Sequence, residues 1–342
     1  MKTDELCFAL AAADGTPGDE FAACKVAEKY INNFMNIEYT KSGSLIATAN
    51  EKGKVTVLLD AHIDRVGLVV RGIDENGFIL IDKVGGLDCR TIIGAEVILF
   101  GKKNIKGVIC STPPHLQKGD EKKNVDISSM AVDVCLSKEE AEKIISFGDR
   151  GLICSKQAKL LGNKIASSAL DDRCGVAALI IAANKVKDKL KNVKLCLQLS
   201  SQEEVGGAGA KTAAFALDAD YAIAVDVGFG SDRNYSKGGE TISLGGGASI
   251  GISPVLNREL TDELISLAKK NSIDFQHDVM SRTTGTNADQ ICVSKSGVKT
   301  ALLSIPLRNM HTAVEVIDLC DVEKTAELIS LFILSKEAEF DD

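Results

Sequence analysis

Apolar positions along this chain follow two textures, and the change between them divides it into three stretches. The first and last stretches read as α/β. Residues 1–37 predict a helix, a break at Gly15-Thr16-Pro17-Gly18 and a second helix, with Phe21, Val26, Tyr30, Ile31 and Phe34 near helical spacing. Residues 44–49 predict a short strand. Residues 54–61 predict a fully buried one that delivers His62-Ile63-Asp64 at its end. From about 68 to 163 short β-rich runs alternate with turns. Runs at 68–70 and 78–81 flank Asp74-Glu75-Asn76-Gly77, a hairpin signal. Runs at 96–100 and 107–110 flank Gly101-Lys102-Lys103-Asn104, and 131–136 and 151–154 add strands around one helix near 138–146. After Asn163 the α/β rhythm returns. A helix starts at Asp171 or Asp172 and runs through 176–186. The strand 193–199 follows, then a helix at 208–217 and a buried strand 221–225 ending in Asp226. A glycine-rich β-like run at 242–252, a helix at 261–270, a strand at 300–306 and a closing helix at 321–335 complete the pattern.

The fold class expected is therefore α/β, a catalytic domain on a mixed sheet, discontinuous in sequence (1–67 and 163–342). The middle stretch, 68–162, has no βαβ rhythm and reads as a small, mostly β barrel inserted into it.

Composition narrows the function. The chain has 342 residues, 45% hydrophobic and 26% charged, with a net charge of −8. That balance is globular. There is no basic stripe with interleaved aromatics, so nucleic acid is not an expected partner. No apolar run reaches the length a bilayer needs, and Asp4 and Glu5 precede the apolar residues 6–13, where a signal peptide would be positive. No membrane partner is expected. Ten cysteines occur without a C-x-x-C pair, many within apolar runs, as small buried hydrophobes of a reducing, cytoplasmic setting.

The chemistry collects at strand ends. The run 193–199 leads into Gln202-Glu203-Glu204-Val205-Gly206-Gly207, two adjacent carboxylates closed by paired glycines. Neighbours on an extended backbone point to opposite sides, so one glutamate can bind a metal while the other faces substrate as a base. His62 with Asp64, Asp226 and His311 each follow an apolar run, at the sheet edge where α/β proteins bind ligands. Asp171-Asp172 stands at a predicted helix start. Singly, each has a plain role: a hydrogen-bonded core histidine, a loop carboxylate, or for Asp171 a helix N-cap. Jointly they are a nitrogen and oxygen donor set suited to zinc, cobalt or manganese. Five ligands that include a bridging carboxylate would hold two metals. His115 and His277 read as loop and surface residues without a role.

The order Asp60-Ala61-His62-Ile63-Asp64, Ala169-Leu170-Asp171-Asp172-Arg173, Gln202-Glu203-Glu204-Val205-Gly206, Val225-Asp226-Val227 and Pro306-Leu307-Arg308-Asn309-Met310-His311-Thr312 resembles the glutamyl and tetrahedral (TET) aminopeptidases, metallopeptidase family forty-two. The resemblance runs end to end and includes Gly85-Gly86 and Pro113-Pro114-His115-Leu116. It implies a zinc-aminopeptidase-like catalytic domain with two divalent metal ions per subunit. His62 and His311 would each hold one ion, Asp171 would bridge, and Glu204 and Asp226 would complete one site each. Glu203 would be the general base on the water between the metals. Asp64 would accept from the far nitrogen of His62. The implied activity is removal of N-terminal residues from short peptides. The insert would be a dimerisation domain, in homo-oligomers from dimer to tetrahedral dodecamer.

Three positions depart from the family pattern. Arg65 stands where a glutamate is common, Asn287 replaces an aspartate in Gly285-Thr286-Asn287-Ala288, and Gly246-Gly247-Ala248 lacks a proline. None is a predicted ligand. Arg65 adds positive charge near the site and points to acidic N-terminal residues. Two other functions compete: a non-catalytic metal-binding assembly protein of the same fold, and a glycoside hydrolase using two carboxylates. The absence of Trp and an aromatic content of 4% leave few platforms for sugars.

Overall fold

The computed structural model describes residues 2–113, 126–231 and 242–341; Pro114, His115 and Leu116 of the resemblance lie outside them. The chain opens with α1 (Thr3–Ala11), α2 (Phe21–Glu28), β1 (Asn36–Tyr39), β2 (Leu45–Ala49) and β3 (Val55–His62). The middle stretch contains β4 (Gly67–Ile73), β5 (Ile79–Val84), β6 (Glu96–Phe100), β7 (Asn104–Ser111), β8 (Met130–Asp133), α3 (Lys138–Glu142) and β9 (Arg150–Ile153). Then come β10 (Ala158–Lys159), β11 (Lys164–Ser167), α4 (Leu170–Val186), β12 (Val193–Ser200), α5 (Ala208–Leu217) and β13 (Tyr221–Phe229). The last part holds β14 (Ala248–Ile252), α6 (Arg258–Lys270), β15 (Phe275–Val279), α7 (Ala288–Ile291), β16 (Lys299–Arg308), β17 (Glu315–Asp318) and α8 (Leu319–Glu339).

Among the described residues one sheet has eleven strands, and its main path runs β1-β2-β12-β3-β13-β16-β17-β11-β10, with β14 and β15 branching from β16. Its centre, β12-β3-β13-β16, is parallel. Parallel strands are covered on both faces, and side-chain alternation assigns each face its layer. Val57, Leu59, Leu195, Leu197, Ile223, Val225, Ala301 and Leu303 join the large core, where α4 lies across β3 and packs on α8 and α1. Leu58, Cys196, Ala222, Ala224 and Leu302 face a smaller cluster under α5 and α7. Asp60, His62, Ser200, Asp226 and Ser304 continue these second-face rows towards the strands' C-terminal ends.

The other sheet is a closed antiparallel barrel in the order β4-β5-β8-β7-β6-β9. It has its own core, including Leu68, Ile81, Val97, Leu99 and Val132. The barrel strands lie between Gly67 and Ile153, whereas the insert was expected over 68–162. Ala158–Lys159 already pairs with β11 of the large sheet.

Several elements differ from the sequence expectation. The strand expected to end in Asp226 runs on to Phe229, because Val227, Gly228 and Phe229 still pair with β16. The glycine-rich run is strand only at Ala248–Ile252, and the helix after Ser137 stops at Glu142. His277 lies in β15, exposed, rather than in a loop. Of the cysteines expected to be buried, Cys7, Cys24, Cys174 and Cys196 are, Cys135 is exposed and the other five are half-buried; all ten thiols are free. Among the described residues no helix is long and apolar enough to cross a membrane.

Candidate metal centre

The parallel strands bring their C-terminal ends to one edge. In register β3 pairs Asp60 with Ala224 of β13, and two residues further along both strands His62 and Asp226 come side by side. His62 Nε2 lies 3.9 Å from Asp226 Oδ1. Beyond β12 the chain turns through Gln202 at φ 60°, presents Glu203 and Glu204, and turns back through Gly206 and Gly207 at φ 122° and 71°. Only glycine adopts that last pair without strain. The carboxylate of Asp64 fixes this loop by accepting the N–H groups of Glu203 and Glu204, each at 3.1 Å.

Asp171 enters from the start of α4. Asp171 and Asp172 are both non-helical, joined by a cis peptide bond. The N-cap contact foreseen for Asp171 belongs to Asp172, whose Oδ1 accepts from Gly175 N at 3.2 Å. Asp171 is thereby free to face the histidines: Oδ1 is 3.0 Å from His62 Nε2 and Oδ2 is 3.3 Å from His311 Nε2. Glu204 Oε2 is also 3.3 Å from His311 Nε2. Two clusters result, His62-Asp171-Asp226 and Asp171-Glu204-His311, with the ligand atoms of each within 4.8 Å of one another and Asp171 common to both. The structure thus gathers all five candidate ligands. Glu203 stands outside both clusters and lines the same cavity. The nearer partner of His62 Nδ1 is the Asp64 backbone carbonyl at 3.2 Å, with the Asp64 carboxylate at 3.6 Å.

The electrostatics fit a cation. Burial raises Glu204 to about 8 and Asp226 well above the usual carboxylate range, with Asp171's charge adding to both. Burial also raises Glu203, against the lowering effect of His62. Burial would lower the imidazoles and raise Asp171. The contacts between them reverse this: Asp171 falls, His62 rises well above its ordinary value and His311 rises to about 9. Glu204 Oε1 is buried and has no hydrogen-bond partner among the described residues. Buried carboxylates are costly without positive charge. Two imidazole nitrogens and three carboxylates are donors that divalent zinc, cobalt or manganese accept.

One residue escaped the sequence reading. Glu315, at the start of β17, is buried, and its carboxylate accepts Asp171 N at 3.1 Å and His311 N at 3.0 Å. His311 is held at φ 61°. A lone carboxylate in the β-like run Val314-Glu315-Val316-Ile317 was the available signal. Two of the three departures, Arg65 and Asn287, lie beneath the site rather than in its cavity. Arg65 is 7% exposed, and its charge faces Glu315, Asp14 and Glu204. Asn287 donates to Asp60 Oδ2 at 2.9 Å and Ser200 Oγ at 2.7 Å.

A mixed α/β core with paired histidine–carboxylate clusters at its strand ends, carrying an inserted barrel, is compatible with a metal-dependent peptidase. The M42 glutamyl aminopeptidase family model matches residues 43–328, and the chain belongs to that family. It is an aminopeptidase by that membership. It is 35% identical to a lysyl aminopeptidase of Pyrococcus furiosus over 298 residues, 85% of each protein. The crystal structure of a TET aminopeptidase from a marine-sediment Thaumarchaeota archaeon superposes with a TM-score of 0.92 at 28% identity, covering 99% of this chain and 98% of that one. The Pyrococcus horikoshii TET1 peptidase, which can assemble into a tetrahedron or a large octahedral shell, superposes at 0.86 with 31% identity, covering 97% and 99%.

Proposed function

We propose that the chain is a dinuclear metal aminopeptidase that removes N-terminal residues from short peptides. The observation that carries this reading is Asp171, whose two oxygens point one to each histidine, at 3.0 and 3.3 Å. His62, Asp171 and Asp226 would hold one ion, and Asp171, Glu204 and His311 the other. Bound there, divalent ions would supply Lewis acidity to the scissile carbonyl and to the attacking water. Glu203 takes a proton from that water and delivers it to the leaving amine nitrogen. Burial, which raises its carboxyl, suits a group that must both accept and release a proton near neutrality. Asp64 keeps Glu203 and Glu204 in register through their amides, and its carbonyl orients His62.

Assembly of this chain into homo-oligomers, up to a shell like that of the Pyrococcus horikoshii relative, is part of the proposal. The exposed Phe147, Ile93 and Val108 of the insert support it. The ten free thiols support a cytoplasmic site of action.

The test is release of p-nitroaniline from a panel of aminoacyl-p-nitroanilides with zinc, cobalt or manganese added, and with a chelator as control. Chelator-sensitive release is expected. Glu203→Gln should keep its metal, by elemental analysis, and lose about 100-fold or more of kcat. Near wild-type turnover in that variant would remove Glu203 from the reaction. No release from folded, metal-loaded protein would favour a non-catalytic metal-binding role.

A further inference from the structure

The cavity in front of the candidate metal centre has a volume of about 750 Å³. Apart from the metal-centre residues and Glu203, its wall carries one charged side chain among the described residues, Asp278. Among the described residues no lysine or arginine lines it. Asp278 belongs to β15, and Gln276, Asp278 and, just past the strand's end, Met280 follow a two-residue period onto one side, while His277 and Val279 are exposed. Gln276 anchors that side by accepting from Ser243 N at 2.7 Å and donating to Ser243 O at 2.9 Å. Asp278 and Met280 then face the cavity together.

The Asp278 carboxylate is half-buried and has no hydrogen-bond or ion-pair partner among the described residues. Burial raises it, with no cation among the described residues to offset the effect. Phe229, Met280 and Leu302 supply apolar wall around it. A long aliphatic stem ending in a cation matches both features at once, covering the apolar wall and pairing with the carboxylate. A leucyl side chain would bury the carboxylate further without a partner. A glutamyl side chain would set like charges against each other. Arg65, which suggested acidic substrates from the sequence, does not line this cavity.

We propose that Asp278 sets the specificity of the site, selecting peptides with lysine or arginine at the N-terminus. This rests on the aminopeptidase reading above and names its substrate class. It is tested with lysyl-, arginyl-, leucyl- and glutamyl-p-nitroanilide, which carry a single residue, so a change in preference belongs to the N-terminal side chain. Wild type is expected to show its highest kcat/KM on the lysyl and arginyl substrates. Asp278→Asn should lower the lysyl-to-leucyl ratio of kcat/KM by about tenfold, the value of one charge-assisted contact. Asp278→Lys should place the glutamyl substrate above the lysyl one. A wild-type preference for leucyl or glutamyl substrate overturns the proposal. So does an unchanged lysyl-to-leucyl ratio in an Asp278→Asn protein that melts at the wild-type temperature. If no substrate is turned over, the hydrolase reading fails separately, and calorimetric binding of lysinamide against leucinamide decides this one. Tighter lysinamide binding that Asp278→Asn abolishes sustains it, and equal affinities overturn it.

Discussion

Glu315 shows how a residue that touches no substrate can fix a site. Its two oxygens accept the backbone N–H of Asp171 at 3.1 Å and of His311 at 3.0 Å. These two residues come from different elements, and His311 holds a left-handed backbone at φ 61° that a non-glycine residue adopts only under constraint. Arg65 lies behind with the opposite charge, so the buried carboxylate keeps some compensation. Glu315→Ala would leave two amides without an acceptor and Arg65 without the largest of its counter-charges, at a cost of about 3 kcal/mol. Glu315→Gln keeps one acceptor oxygen. The expected order, in both urea midpoint and kcat/KM, is wild type, then Gln, then Ala; an alanine variant equal to wild type in both would show that neither ligand depends on this clamp. Asn287 follows a related logic. Asp60, raised to about 7 by burial, accepts from Ser200 and from the Asn287 amide. An aspartate at 287 would set a second carboxylate against it, so the departure from the family pattern is matched to its neighbour.

At the scale of elements, the sequence was most informative where hydrophobic runs were long. The central strands β3, β12, β13 and β16 and the helices α4, α5 and α8 were all legible, with ends displaced by a few residues. The run 54–61 reads as uniformly buried, yet its two faces do different work: Val57 and Leu59 fill the large core, while Leu58 begins a row that ends in Asp60 and His62. Both faces are buried, so hydrophobicity alone cannot tell them apart. The short strands β1, β10, β15 and β17 were not legible, because their order comes from pairing with distant strands rather than from local pattern. One cap at this scale is testable by pH. Asp318 accepts Cys320 N at 3.0 Å at the start of α8 and pairs with Lys164 at 2.8 Å. Burial would raise its carboxyl, but the Lys164 and Cys320 hydrogen bonds hold it below the ordinary aspartate value. A depressed folded-state pKa gives stability that is fully present above the unfolded value and lost as pH falls through the folded one. Asp318→Ala should therefore lower stability by about 1–2 kcal/mol near neutrality. The difference in urea midpoint between variant and wild type should shrink once pH drops below the ordinary aspartate range. A difference that is constant with pH would mean that the cap and ion pair contribute nothing through charge.

For the whole molecule, the question is whether the barrel is an appendage or part of the site. The barrel sits between β3 and β10 in sequence, and the loop after β5 returns to the sheet edge. Gly86 O lies 3.2 Å from His311 Nδ1, so the insert fixes the ring whose other nitrogen faces Asp171 and Glu204. Gly85, at φ 80°, leaves room for Glu204: an added Cβ there would lie 3.2 Å from Glu204 Cβ and 2.9 Å from Val66 Cγ1. A Cβ on Gly86 would lie 2.5 Å from His311 Nδ1 and 2.8 Å from its Cε1, closer than real carbons approach, so the ring must move. His311 is 27% exposed and has room to swing outward, away from Asp171. The large sheet and the barrel are therefore coupled at His311, although each has its own hydrophobic core. Gly86→Ala should reduce kcat/KM by about 100-fold, the scale of an ångström-level misplacement. Metal content by elemental analysis should fall with it. Melting temperature should stay within a few degrees of wild type, since Gly86 is exposed and contributes to neither core. Full activity and full metal content in Gly86→Ala would mean that the catalytic domain positions His311 unaided and that the barrel serves only assembly. Loss of activity with an equal loss of melting temperature would point instead to a barrel needed for folding.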